Sequence, residues 1–292
     1  MNNVVLIVTL IAGALVGHGI RYLVPRALKL KDKKPVFMFP WVELVTAGLF
    51  LLVAWRLGYG IAQLKWFFLT SVFVAIAVSD YATKYIPDSF TLYTAPVGMA
   101  CTILFPQDVI AMLGHERLLL MFGVPPHQEL TAGIMLAITG AAAGFMMMEV
   151  IRRIFSSLLQ MEAMGLGDAY LMLTAGAFLG PQMVCFSLLP ACLIGVITGL
   201  IWKLLFKTPH APFGPALGMG CFSMLLFRDE LINGFIHYNE ALYDLPPQAL
   251  MAISLVLIGV VFFLVIRMKR RAAQYEAEIE EDYDQMNDKF ES

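Results

Sequence analysis

The chain has 292 residues, of which 59% are hydrophobic and only 14% charged. Soluble proteins carry about a quarter of their residues as Asp, Glu, Lys and Arg, and a soluble chain of this size could not hide so much apolar surface. The composition excludes an ordinary soluble domain and points to an all-α polytopic membrane protein with lipid as its solvent. The formal charge of −2 combines two unlike parts: residues 276–292 carry eight acids against Lys289, and fourteen acids and nineteen bases elsewhere leave the body at +5 and the tail at −7. No basic face or basic–aromatic alternation suggests nucleic-acid binding.

Nine apolar runs follow in chain order, at about 3–24, 41–57, 66–80, 90–105, 130–151, 168–180, 184–206, 213–227 and 249–267. The first lacks the positive n-region and cleavage site of a secretory signal. It is followed by Arg21, Arg26, Lys29, Lys31, Lys33 and Lys34. Bases behind an uncharged N-terminus place that terminus outside and the loop 25–39 in the cytoplasm. Threaded in this way, the chain puts sixteen Lys and Arg residues inside and only Arg56, Lys65, Arg117 and Arg228 outside, with the C-terminus cytoplasmic. Two outer loops have some length, 106–129 and 228–248. The predicted organisation is a transmembrane domain over 1–271 and an acidic cytoplasmic tail over 272–292. Apolar residues at Ala272, Tyr275, Ile279, Tyr283, Met286 and Phe290 give the tail a helical period. A partner or self-contact along that strip and a solvated helix end both remain open.

The four cysteines, Cys101, Cys185, Cys192 and Cys221, lie in apolar runs without a CxxC pair and read as small buried hydrophobes. The five histidines, His18, His115, His127, His210 and His237, show no metal-ligand spacing, so neither a metal nor a cofactor is expected. Ionisable residues within or at the ends of spans cost a few kcal/mol and invite a functional reading. Arg152, Arg153, Lys203 and Arg267 can snorkel from cytoplasmic ends. Glu149 has a local ion pair as its simplest explanation, and Glu43 reads as an end-of-helix carboxylate near the basic loop. Asp80 and Asp168 stand apart. Each falls at the cytoplasmic end of its run, so the two share one membrane depth although 88 residues separate them.

Gly165 and Gly167, in Gly-Leu-Gly-Asp, give the backbone before Asp168 room to approach a neighbour, and the aspartate sits where a helix N-terminus favours negative charge. That arrangement is also a simple helix cap. Two adjacent carboxylates can share a proton and activate water between them without a metal, as in aspartic proteases. The same groups also serve proton relays in carriers.

Several segments together resemble the type IV prepilin leader peptidases, a family of integral-membrane aspartic endopeptidases. Asp80 is followed by Tyr85-Ile86-Pro87-Asp88 and Leu92; Glu162-Ala163-Met164-Gly165-Leu166-Gly167-Asp168 precedes Leu171 and Gly176 to Gly180; Pro212-Phe213-Gly214-Pro215 opens a late run; and Pro40-Trp41-Val42-Glu43-Leu44 leads the second. The resemblance implies a bacterial cytoplasmic (inner) membrane enzyme with Asp80 and Asp168 as its catalytic pair. Gly165, Gly167, Glu162, Asp88 and Lys84 would support motif geometry or substrate positioning. The implied partner is a prepilin or pseudopilin, a single apolar helix with a short basic leader cut at the cytoplasmic face.

Some features depart from the family. The loop 25–39 has no cysteine where bifunctional members insert two CxxC pairs, which removes the family-linked zinc site and weighs against N-methyltransferase activity. Tyr170 stands where the family usually has Lys. Presenilin-type proteases share Gly-Leu-Gly-Asp and a Pro-Ala-Leu, here Pro215-Ala216-Leu217, but place their aspartates on consecutive helices. The alternatives to an enzyme are a noncatalytic pilin-binding family member and a proton-coupled carrier.

Overall fold

The computed structural model describes residues 3–29, 40–112, 115–159, 164–206 and 212–243. The expected ninth run, the tail 272–292, Glu162 and most of the loop 25–39 lie outside the described residues. Among the described residues every regular element is helical: α1 (Asn3–Ala27), α2 (Trp41–Leu57), α3 (Leu64–Thr83), α4 (Ala95–Leu104), α5 (Gln107–Ile110), α6 (His115–Met121), α7 (Glu129–Leu159), α8 (Leu166–Leu179), α9 (Pro181–Phe186), α10 (Leu188–Phe206) and α11 (Gly214–Tyr243). Four stretches among the described residues are long and apolar enough to cross a bilayer: Val4–Ala27, Leu64–Thr83, Glu129–Leu158 and Pro181–Trp202. Even the shortest of them reaches about 30 Å at 1.5 Å per residue, the thickness of the hydrocarbon core. This is the architecture of a multi-pass membrane protein.

Some elements differ from the apolar runs. The run 90–105 starts late, because a 3-10 turn at Asp88–Phe90 and a turn at 91–94 precede α4, which has proline in its first turn. The expected loop 228–248 is instead helical as far as Tyr243, beyond a kink at Phe227 (φ −121°, ψ 27°). Arg56 Nε donates to the Leu226 carbonyl at that kink (3.0 Å), with its guanidinium 5.0 Å from the Phe227 ring centroid. A side chain inserted into the helical ladder is a recognised cause of such a bend. The cysteines are all free, but only Cys221 is buried; Cys185 and Cys192 face outward, against the reading of all four as interior.

The chain divides into two compact units, one of residues 1–149 and 166–228 and the other of 150–165 and 229–292. In the second, the described residues are mainly the C-terminal parts of α7 and α11. The first contains the packed core. Lipid provides little hydrophobic drive between helices, so small residues and hydrogen bonds do the joining. Gly13 and Gly17 of α1 lie against α2, where added Cβ atoms would sit 2.7 Å from Ala47 Cα and 2.8 Å from Glu43 Cα. Gly140 and Gly176 bring α7 and α8 into backbone contact, and Gly144 meets the Met172 carbonyl.

Hydroxyls complete the joins. The Thr102 hydroxyl donates to the Ala177 carbonyl (2.8 Å), whose ordinary helical donor would belong to residue 181, a proline without an N–H. Thr174 Oγ1 donates to the Thr91 carbonyl (2.8 Å). Both bonds tie α8 to the segment leading into and along α4. At the start of α3, Lys65 is buried and donates to the Phe105 carbonyl (2.6 Å) just past α4, with Asp108 3.4 Å away. A lysine expected only to mark the outer side thus also caps a helix end.

Candidate functional site

Asp80 lies in the last turn of α3. The helix ends because Lys84 takes a left-handed conformation (φ 54°, ψ 30°), with its amide donating to the Asp80 carbonyl (2.8 Å). Ser79 Oγ donates to the Tyr85 carbonyl (2.7 Å), pinning the chain as it leaves. Pro87 then extends the backbone (φ −65°, ψ 137°), and Ile86 and Pro87 turn into the protein. This reversal follows from local chemistry: a proline holds the residue before it away from helix.

Asp168 is the third residue of α8, within the first turn. Gly167 just before it lies against Ile86, where a Cβ would come 3.0 Å from the Ile86 Cβ. Gly214, the first residue of α11, meets the tip of the same side chain: its added Cβ would stand 3.0 Å from Ile86 Cδ1 and 2.8 Å from Asp80 Oδ2. The Gly214 amide donates to Asp80 Oδ2 at 2.9 Å. Ile86 therefore touches the neighbour of one aspartate and the hydrogen-bond donor of the other. Both carboxylates are buried, at 6% and 9% relative exposure for Asp80 and Asp168. Asp168 lies within reach of the Asp80 charge.

The other expected site residues are placed differently. Lys84 is exposed at the rim, where its charge reaches Asp80. Asp88 is exposed and opens the 3-10 turn, its carbonyl accepting the Thr91 and Tyr93 amides; it is not part of the buried pair. Gly165 falls in the second unit and Glu162 outside the described residues. Tyr170 stacks on Phe145 of α7 (centroids 5.8 Å apart, planes at 22°). Glu43 lies in the first turn of α2 as expected, and is a buried carboxylate accepting from Arg21 (3.1 Å) and lying 3.2 Å from His18 Nδ1. Among the described residues no three His, Cys, Asp or Glu side chains group as a metal site. Sequence reasoning missed Ile86 and the Gly214 amide; the signal was Pro212-Phe213-Gly214-Pro215, noted as a motif without a role.

An apolar groove of 350 Å³ is lined by Trp41, Phe73, Ala77, Tyr81, Pro215 and Phe222 among others. Tyr81 and Pro215 are the chain neighbours of Asp80 and Gly214, and neither aspartate itself lines the groove. Chemically, the site offers two buried acids within electrostatic reach of each other, one of them held by a backbone donor. Such a pair can share a proton and polarise a water.

Residues 67–200, which include both aspartates, match the model of the type IV leader peptidase family. The chain is 27% identical over 209 residues to a prepilin leader peptidase/N-methyltransferase of Xanthomonas campestris pv. campestris, covering 70% of this chain and 64% of that protein. It is 30% identical over 193 residues to the protein of that name from Neisseria gonorrhoeae (66% and 59% covered). With that of Aeromonas salmonicida it shares 31% over 202 residues (68% and 61%). The chain spans less than two thirds of the length of each of these relatives. No solved structure is significantly similar to it. By the family match and these relatives together, residues 67–200 form a type IV leader peptidase family segment.

Proposed function

We propose that the protein is an aspartic endopeptidase of the bacterial inner membrane that removes the leader peptide of type IV prepilins or pseudopilins at the cytoplasmic face. The observation that carries this reading is that Asp80 and Asp168 are both buried, and that Ile86 lies against Gly167, next to Asp168, and Gly214, the amide donor to Asp80. The names of the relatives and an apolar groove that includes Tyr81, next to Asp80 in the chain, support it. So does the nine-span, N-terminus-outside threading of the basic residues, which puts both aspartates on the side where a basic leader would lie.

In the proposed reaction the two aspartates share one proton and act as a unit. The ionised member takes a proton from a water as its oxygen attacks the scissile carbonyl carbon. The protonated member donates to the carbonyl oxygen, forming a neutral tetrahedral intermediate. Collapse restores the C=O bond, breaks the C–N bond and sends a proton to the departing amine, leaving the leader as a carboxylic acid and the pilin with a new N-terminus. Lys84 at the rim is suited to steering substrate, and the apolar helix of a prepilin is suited to the groove. The proposal covers the peptidase reaction alone, since the loop 25–39 carries no cysteine.

The test is co-expression of a prepilin with wild type, Asp80→Asn or Asp168→Asn, followed by a gel or mass readout of leader removal. Each substitution is expected to slow cleavage by about 10²–10⁴-fold, the range for loss of a positioned general acid or base. Cleavage that survives both at the wild-type rate rules out the pair.

A further inference from the structure

Gly214 is not a glycine for conformational reasons. Its φ lies outside the left-handed region, and any L-residue could begin α11 with that backbone. Space is what excludes a side chain: a Cβ would stand 2.8 Å from Asp80 Oδ2, 3.4 Å from Asp80 Cγ and 3.0 Å from Ile86 Cδ1. Absence of the side chain lets the amide approach to 2.9 Å and donate to Oδ2. The amide belongs to the first turn of a helix, where N–H groups have no partner within the helix. The next residue, Pro215, has no N–H to offer. A carboxylate with one oxygen held in this way does not rotate freely about Cβ–Cγ, so its other oxygen points in a set direction.

We propose that Gly214 is a positioning residue: through its backbone amide it fixes the rotation of the Asp80 carboxylate, so that the second oxygen is aimed for the chemistry shared with Asp168. This rests on the peptidase reading above. Gly214 acts on Asp80 and takes no part in proton transfer.

Ile86 makes packing separable from positioning. A Cβ at residue 214 would press on Asp80 Oδ2 and on Ile86 Cδ1, whereas one at residue 167 would press on Ile86 Cβ. Ile86→Val deletes Cδ1 and keeps Cβ. It therefore relieves the packing contact of Gly214→Ala but leaves the collision with the carboxylate. The full-length protein in liposomes is assayed on a type IV prepilin.

Gly214→Ala is expected to lower kcat by about tenfold or more, as for loss of one preorganised donor, with KM unchanged. In Gly214→Ala/Ile86→Val the thermal midpoint recovers and kcat does not. Recovery of kcat in the double variant would mean that packing alone was at fault and would overturn the proposal. Should the alanine variant not fold, glycolic acid at position 214, introduced by cell-free synthesis, replaces the amide by an ester and removes only the donor; the same loss in kcat is expected.

Dicyclohexylcarbodiimide labelling of Asp80, followed by mass spectrometry, needs no substrate. The ester form is expected to label about tenfold faster, and equal rates would refute the proposal. If wild type cleaves no prepilin, the peptidase reading fails by itself while the labelling still decides whether Gly214 holds Asp80.

Discussion

Removing the ammonium of Lys65 tests whether a charge that marks membrane sidedness also supports the fold. Its Nζ donates to the Phe105 carbonyl at 2.6 Å, lies 3.4 Å from Asp108 Oδ2 and stands 4.7 Å from the Trp66 ring centroid. Lys65→Met keeps the apolar stem and deletes the charge. A charged hydrogen bond contributes about 1.5–3 kcal/mol. The pair with Asp108 would give about 5 kcal/mol of Coulomb energy at an effective dielectric of about 20. Asp108 is 30% exposed, and the 3.4 Å approach lacks hydrogen-bond geometry, so the realised share falls to about 1 kcal/mol. The methionine recovers part of the lysine desolvation cost, which offsets some of this.

The net loss is about 2–3 kcal/mol, because the Phe105 carbonyl and Asp108 both lose a partner while neither is replaced. Thermal unfolding of the detergent-solubilised protein is expected to fall by about 4–10 °C at the usual slope for chains of this size. A double-mutant cycle with Asp108→Asn should return a coupling of about 1 kcal/mol. Prepilin cleavage at 25 °C should be unchanged, since Lys65 is about 22 Å along α3 from Asp80 at 1.5 Å per residue. A midpoint at or above wild type would show that the buried ammonium costs as much as it contributes, and would refute the reasoning.

Thr102→Val leaves the Ala177 carbonyl without a donor, since residue 181 is proline; a loss of about 1–3 kcal/mol is expected in thermal unfolding. Gly140→Ala drives a methyl into the Gly176 backbone, and should cost about 1–3 kcal/mol or more through overpacking, read as a lower midpoint and lower yield of folded protein. His115 is buried, with Nδ1 2.6 Å from the Val109 carbonyl, and burial holds its pKa below the ordinary imidazole value. The unfolded chain takes up that proton near pH 6.5 while the folded one does not, so stability is full above about pH 6.5 and declines as the pH falls. His115→Gln should flatten that decline in a series of melts from pH 7.5 to 5.

The buried pair was legible because charge inside an apolar chain is rare and Asp80 and Asp168 had no simple partner nearby. The Gly-Leu-Gly-Asp and Ile-Pro-Asp segments were legible as motifs, since glycine and proline act on their own backbone. Glu43 does lie at a helix end, in the first turn of α2, but its burial and its partners Arg21 and His18 were not legible, because they come from another helix. Within the run 90–105 the helix begins only at Ala95, and residues 228–243 of the expected loop are helical. Apolarity marks which residues prefer lipid, whereas hydrogen bonds and proline set where a helix starts.

Composition and the order of charged residues thus determined on their own that the chain is a helical membrane protein, and singled out two acids as its most costly side chains, because transfer from water to lipid is a property of each residue. Contact between distant helices depends on which faces meet. The tertiary structure alone decided that Ile86 touches both Gly167 and Gly214, that a backbone amide, a group every residue but proline carries, holds Asp80, and that Thr102 supplies the donor missing at Pro181.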